Sequence, residues 1–188
     1  LNDEKQHELD QKIGMSLKNT SVALDNLLLW SLAQMKREKS TSLEFNLNEL
    51  IEQQINLFQT QCESKNIEVR FAPTRSYQLS HDKNGLSVII RNILSNAIKF
   101  SHPASHIDIA LADEHEQLII RITDYGVGMK EDQLLQFHRG ELQHTTGTLS
   151  ESGTGLGFLL VRDYCQALNV QLEVESNLGQ GTTFTLIL

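Results

Sequence analysis

Residues 118–129 read Leu-Ile-Ile-Arg-Ile-Thr-Asp-Tyr-Gly-Val-Gly-Met. Leu118, Ile120 and Ile122 alternate, the period of a strand with one buried face. The strand runs straight into Asp124-Tyr-Gly126-Val-Gly128, where glycines at alternate positions let the backbone pass close to another group. Just upstream Ile107, Ile109 and Leu111 alternate in the same way, and the residues between, Ala112 to Glu116, suit a hairpin turn. Before that pair, Leu86, Ile89, Ile90, Ile93, Leu94, Ala97 and Ile98 recur at helical spacing. Ser80 or Asp82 is placed to cap this helix, and His102-Pro103 to stop it after Phe100.

Further out the same alternation of element types continues. Asn46 or Asn48 can cap a helix through about Glu63, with Leu47, Leu50, Ile51, Ile55 and Phe58 on its apolar face. Ile67, Val69 and Phe71 form a strand that Pro73 ends. Residues 131–137 allow a short helix, and 138–153, rich in Gly, Thr, Ser and His, read as a long mobile loop. Leu156 to Leu168 is helical, and strands over 170–176 and 182–188 close the chain. Helices and strands in this order give an α/β domain over residues 41–188. Residues 1–40 read as one helix, with Ile13, Leu17, Thr20, Leu24, Leu27, Ser31 and Met35 on a stripe. A helix this long cannot bury its own apolar face and must pair with another, upstream or from a second copy. Lys36 to Ser42 form a linker.

The chain has 188 residues, 39% of them apolar and 21% charged, enough to build a core, which excludes disorder throughout. No apolar run approaches the roughly 20 residues of a membrane span. The net charge of −8, with no long basic run, argues against nucleic-acid binding. Cys62 and Cys165 lie far apart, make no metal spacing and read as ordinary thiols of a reducing cytoplasm. No signal peptide or targeting tail is visible, and a chain opening on Leu1 is expected to be a piece of a longer protein.

Four segments carry the chemistry. Asn92, Asn96 and Lys99 share one helix face; amide oxygens can ligate Mg²⁺ and an ammonium can neutralise phosphate, although Asn and Lys also make an ordinary wet face. Asp124, at a strand end, can accept a hydrogen bond from an exocyclic amine such as that of adenine, or can simply open an Asp-Gly turn. Gly153-Thr-Gly155-Leu156-Gly157 leads into a helix, where glycine-turn amides and a helix N-terminus suit phosphate. It is neither a dinucleotide fingerprint, since no buried strand feeds it, nor a Walker loop, since no Lys-Ser or Lys-Thr pair follows. Gly179-Gln-Gly181-Thr182 by itself is a turn between strands.

Taken in order, these segments are far more specific than apart. The sequence resembles the GHKL family of ATP-binding domains, named for gyrase, heat-shock chaperones of the ninety-kilodalton class, histidine kinases and the MutL mismatch-repair proteins. Details favour sensor histidine kinases: Asn92 to Ser101 is similar to their N box, Asp124 to Met129 to the first glycine box, Gly153 to Gly157 to the second, and Phe137 to the F box. Asn26 to Gln34 is similar to the end of the second helix of the kinase dimerisation hairpin, which makes 1–40 part of that hairpin and 41–188 the catalytic domain. The resemblance implies a two-layer fold, a mixed sheet of about five strands with helices on one face. It implies that Asn96 ligates Mg²⁺, with Asn92 near the same phosphates and Lys99 contacting phosphate. Asp124, with Gly126 and Gly128, would hold adenine. Gly153, Gly155, Leu156 and Gly157 would wrap the phosphates, and Thr182 would support Asp124 through water.

The implied activity is phosphoryl transfer from ATP·Mg²⁺ to a histidine, followed by transfer to the receiver domain of a response regulator. The implied assembly is a homodimer through the N-terminal helix, and the implied location a cytoplasmic domain whose parent can be anchored in the inner membrane. The F box departs from the pattern, with His138-Arg139-Gly140 in place of a second Phe, and Phe158 stands where a smaller or aliphatic residue is common. His7-Glu8-Leu9 imitates the start of an acceptor motif, but Asp10 and Lys12 depart from it. His7 also precedes Trp30 by only 23 residues, too few for a helix, a turn and most of a second helix. The acceptor is therefore expected upstream of Leu1. Two alternatives stay open: a degenerate nucleotide-binding or dimerisation module without kinase activity, and a GHKL ATPase of another class. The latter hydrolyses ATP with a carboxylate four residues before the Mg²⁺ asparagine, where this chain has Asn92.

Overall fold

The computed structural model describes residues 42–139, 147–148 and 156–188. The helix read over 1–40, its linker to Thr41 and most of the 138–153 loop lie outside the described residues.

Asn46 decides where the first helix begins. Its side-chain oxygen accepts from the Asn48 amide at 3.0 Å, the N-cap arrangement, and α1 follows over Leu47–Leu57. The apolar face continues past Leu57 as read, but the helix does not. Phe58 takes φ −105° and ψ 5° and turns the chain into a separate α2, Gln59–Lys65. Asp82, not Ser80, caps the long helix α3, Lys83–Phe100, by accepting from the Gly85 amide at 2.9 Å. Ser80 instead belongs to β3, Gln78–His81, which pairs antiparallel with β1, Leu43–Asn46. This small two-stranded sheet was not legible as strands, because each is only four residues long and only Phe45 shows inward burial, at 7% exposed.

The main sheet is built from β2, Glu68–Phe71; β4, His106–Glu114; β5, Gln117–Asp124; β6, Gln171–Asn177; and β7, Gly181–Ile187. Its order is β2-β4-β5-β7-β6. β2 runs parallel to β4 and the other pairs are antiparallel, so the sheet is mixed, as expected. The β4–β5 hairpin is tighter than the five-residue connection read from the sequence. Glu114 pairs with Gln117, leaving His115 and Glu116 at φ 53° and 67°, the two left-handed positions of a primed two-residue turn.

α1, α3 and α5, Leu156–Leu168, pack against one face of this sheet. Leu86, Ile89, Ile90 and Ile93 of α3 are fully buried against Ile107, Ile120 and Leu186 of the sheet and Leu47 and Ile51 of α1. α3 is therefore the axis of the helical layer, and burying this many branched side chains supplies most of the driving force for the layer, at about 25 cal/mol per Å² removed from water. α4, Glu131–Arg139, is short and amphipathic. Its Phe137 is buried, with ring centroids 3.8 Å from Phe158 and 6.1 Å from Phe184. The large Phe158 thus packs directly beside Phe137.

Candidate functional site

The inward row of β5 is Ile120, Ile122 and then Asp124. The two-residue period that buries the isoleucines also carries the carboxylate into the helical layer, where it is 2% exposed. Burial pushes the Asp124 carboxyl up to about 7. The backbone amides of Gly126 and Thr182 act in the opposite direction by hydrogen-bonding the charged form. Gly126 N donates to Asp124 Oδ1 at 3.0 Å. Thr182 is the cross-strand partner of Asp124 in the β5–β7 ladder, which sets its backbone amide on the side that favours the charged carboxylate.

The turn after Asp124 is clamped from two sides. Val127 N donates to Phe100 O at 3.1 Å, and Gly126 bridges to Ser101, so the turn docks on the end of α3. A Cβ on Gly126 would stand 2.0 Å from the Phe100 carbonyl oxygen. On the other side Gly179 N donates to Val127 O at 2.7 Å, and Met129 N to Ser176 Oγ at 2.8 Å. Ser176 also lies 2.9 Å from Gly181 O and 2.9 Å from the Thr182 hydroxyl. Ser176 was missed at the sequence level. It sits opposite Thr182 in the β6–β7 ladder, and no pattern within β6 distinguishes it from an ordinary polar strand residue.

Gly128 has φ +61°, and a Cβ there would lie 2.0 Å from Asn177 O; Gly179 has φ +77° but open space around it. Gly179→Ala should therefore cost only the left-handed backbone, about 1–2 kcal/mol. Gly128→Ala adds overpacking and should cost roughly 1–3 kcal/mol more. Urea unfolding of the two variants side by side checks this. Equal midpoints would contradict the close approach.

Asn92, Asn96 and Lys99 all lie on α3. Asn92 is buried, and its Nδ2 donates to Val88 O at 2.8 Å, one turn back on its own helix. Its Oδ1 is thereby turned toward Gly157 in the first turn of α5, where a Cβ would approach it to 2.9 Å. This contact brings the asparagine helix against the start of the glycine-led helix, two segments 65 positions apart in sequence. Asn96 and Lys99 are half-buried, and Lys99 Nζ lies 4.7 Å from the Phe100 ring centroid. Leu156 opens α5. Gly153 and Gly155 lie outside the described residues. The structure thus gathers the asparagine helix, the Asp124 turn, Gly157 and the Gly181-Thr182 turn around the end of β5 and one side of α3.

What this arrangement offers a ligand is chemically specific: one buried carboxylate acceptor, hard amide oxygens, an ammonium, and backbone that approaches too closely for any side chain. Amide oxygens suit Mg²⁺, and Asp124 suits an amine donor in an apolar wall. Among the described residues no group of three His, Cys, Asp or Glu gathers as a metal centre.

The model of the histidine kinase-, DNA gyrase B-, and HSP90-like ATPase family matches residues 81–188. The autoinducer 2 sensor kinase/phosphatase LuxQ of Vibrio cholerae is 30% identical over 192 residues, which span 99% of this chain and 22% of LuxQ. The sensor protein BceS of Bacillus subtilis is 32% identical over 166 residues, spanning 86% of this chain and 49% of BceS. Among solved structures, the Acinetobacter baumannii histidine kinase AdeS superposes with TM-score 0.74 at 19% identity, covering 96% of this chain and 83% of that one. Full-length ShkA in complex with AMPPNP gives TM-score 0.75 at 19% identity, over 97% of this chain and 38% of ShkA. At such identities the superpositions show the fold alone. The chain spans about a fifth to a half of the length of these curated relatives.

Proposed function

The chain belongs to the histidine kinase-, DNA gyrase B-, and HSP90-like ATPase family, and we propose from that premise that it is the ATP·Mg²⁺-binding catalytic domain of a sensor histidine kinase. The observation that carries this reading is Asp124. A carboxylate stands at the end of an inward apolar row, bonded by the Gly126 amide and left with acceptor capacity toward the helical layer. Its cost is explained by a ligand with an amine donor, and adenine is such a ligand. Its neighbours in the proposed site are Gly126 and Gly128, with Thr182 behind.

Asn96 would ligate Mg²⁺ through its amide oxygen, with Asn92 beside it, and Lys99 would meet phosphate. Gly153, Gly155, Leu156 and Gly157 would carry the phosphates at the start of α5. When bound, Mg²⁺ supplies neutralisation of charge on the phosphates. The protein's own task is to orient ATP and to present its terminal phosphoryl group to an acceptor imidazole; it needs no covalent nucleophile. A GHKL ATPase of another class is disfavoured because position 92 is an amide, which cannot act as a base.

The domain division follows from the same reading: residues 1–40 as the last helix of a dimerisation hairpin, which would make a homodimer, and 41–188 as the catalytic domain. The receiver domain of a response regulator would take the phosphate onward from the full-length protein. No helix among the described residues is long and apolar enough to cross a membrane, in keeping with a cytoplasmic domain of a parent that can itself be anchored in the inner membrane.

Calorimetric titration of the chain with ATP, with and without Mg²⁺, tests this reading. Binding strengthened by Mg²⁺ is expected; no binding at all would overturn it. Asn96→Asp keeps the shape and adds a negative charge near the phosphates. Its ATP binding should weaken at low Mg²⁺ and recover in part as Mg²⁺ rises. If both proteins ignore Mg²⁺, Asn96 is not at the metal.

A further inference from the structure

Lys65, the last residue of α2, belongs to none of the motifs, yet it is 4% exposed and is the only buried basic side chain among the described residues. A buried ammonium is costly unless polar groups replace its hydration. Here Nζ donates to Ile98 O, Lys99 O and Thr148 Oγ1, each at 2.8 Å. Ile98 and Lys99 lie in the last turn of α3, where carbonyls have no partner within the helix and the helix dipole is negative. The ammonium therefore sits as the cationic cap of α3. Thr148 is drawn to the same place, since its amide donates to Lys99 O at 3.2 Å and its hydroxyl lies 2.9 Å from Ser101 O.

The turn that Lys65 caps also receives Val127 N at Phe100 O and the bridge between Ser101 and Gly126. Three chain segments far apart in sequence thus fasten to residues 98–101: the end of α2, Thr148 between α4 and α5, and the turn after Asp124. Asp124 itself accepts from the Gly126 amide and reaches this turn through the bridge of Gly126 to Ser101. Lys99 belongs to it.

We propose that Lys65 is a positioning residue for the phosphate end of the nucleotide site, fastening Thr148 to the last turn of α3 and so fixing Lys99. This rests on the nucleotide reading above. It distinguishes Lys99, whose carbonyl Lys65 and Thr148 hold, from the adenine end, which is carried on β5 and β7 and meets the end of α3 at Phe100 and Ser101.

The test compares Lys65→Met, Thr148→Val and the double variant in the full 188-residue chain. Each is titrated with the triphosphate analogue AMPPNP and Mg²⁺ by calorimetry and with adenosine by NMR. Each single change should weaken AMPPNP binding about tenfold, the scale of one lost charge-assisted hydrogen bond. Adenosine binding should stay within about twofold of the parent. The double variant should be no weaker than Lys65→Met, because both changes break the bond between Lys65 and Thr148 through which the effect is proposed to run. Thr148→Val leaves the ammonium on the helix carbonyls, so it decides the matter if Lys65→Met does not fold. Equal losses for both ligands, unchanged AMPPNP binding, or additive losses would overturn the role of Lys65 while leaving the nucleotide reading intact. A parent chain that binds neither ligand would overturn the reading and this proposal together.

Discussion

Asp124→Asn should bind ATP ten- to a hundredfold more weakly than the parent and, without ligand, melt at a higher temperature in alkaline buffer. Both effects come from the same burial. Asp124 Oδ1 is engaged by the Gly126 amide, and in the proposed site the carboxylate's remaining acceptor capacity takes the adenine amine. An amide at that position would present a donor to a donor. A hydrogen bond to a charged group contributes roughly 1.5–3 kcal/mol, which sets the expected loss. Stability moves the other way because the folded protein raises this carboxyl from its ordinary 3.8 to about 7. Between those values the folded chain keeps a proton that the unfolded chain has released. The contribution of Asp124 to stability is therefore full below pH 3.8 and is lost as pH rises to about 7.

Asp124→Asn removes that dependence. The two proteins should differ most in melting temperature above pH 7 and converge toward pH 4, the ends of the window that the shift defines. ATP affinity of the parent should rise as pH passes upward through about 7, because the carboxylate is the accepting form, and Asp124→Asn should lack that rise. Melting curves and calorimetry over the same pH series check both. ATP bound equally well by Asp124→Asn would remove Asp124 from the adenine site.

Much of the fold was legible because the apolar periods are clean where burial is one-sided. The alternation through Ile107, Ile109 and Leu111 and the helical spacing from Leu86 to Ile98 fixed β4 and α3, and Leu156 to Leu168 matches α5 to the residue. What the sequence hid was short or cooperative. The break at Phe58 leaves no mark because the apolar face continues across it. β1 and β3 support each other through pairing, and neither has enough residues for a period of its own. The β4–β5 hairpin closes on His115 and Glu116 although neither is Gly, Asn or Asp, the usual turn residues.

The site divides in the same way. Asp124, Asn92, Asn96 and Lys99 were visible because polar residues stand in, or line up along, strongly periodic elements. Ser176 and Lys65 were not, because their importance lies in partners distant in sequence: Met129 and Thr182 for the first, the end of α3 and Thr148 for the second. A lysine in the last turn of a short helix reads as a solvated cap, and only the packed structure shows it buried. Phe158 shows the converse. By sequence it is only a larger residue than the family pattern has at that place, and in the fold it is the ring beside Phe137.

The proposed kinase activity has the sharpest consequence of all, because it predicts transfer to a histidine of a dimerisation hairpin and not to the catalytic domain itself. The chain should take up almost no acid-labile phosphate from ATP by itself, since His7 stands only 23 residues before Trp30 and cannot complete an acceptor hairpin. A histidine-bearing dimerisation hairpin from a sensor kinase, added in trans, should become labelled. The same hairpin tethered to the chain should be labelled faster, because tethering raises the effective concentration of the imidazole, to about the millimolar range for a short flexible linker. Transfer of the radiolabelled terminal phosphate of ATP to that hairpin measures the proposed kinase activity itself. The label should be lost in acid and kept in alkali, absent from a hairpin whose histidine is replaced by glutamine, and abolished or nearly so in Asp124→Asn at subsaturating ATP. Label on His7 that disappears in His7→Gln would contradict the assignment of the N-terminal helix, and an unlabelled tethered hairpin in the presence of bound ATP·Mg²⁺ would contradict the kinase reading itself.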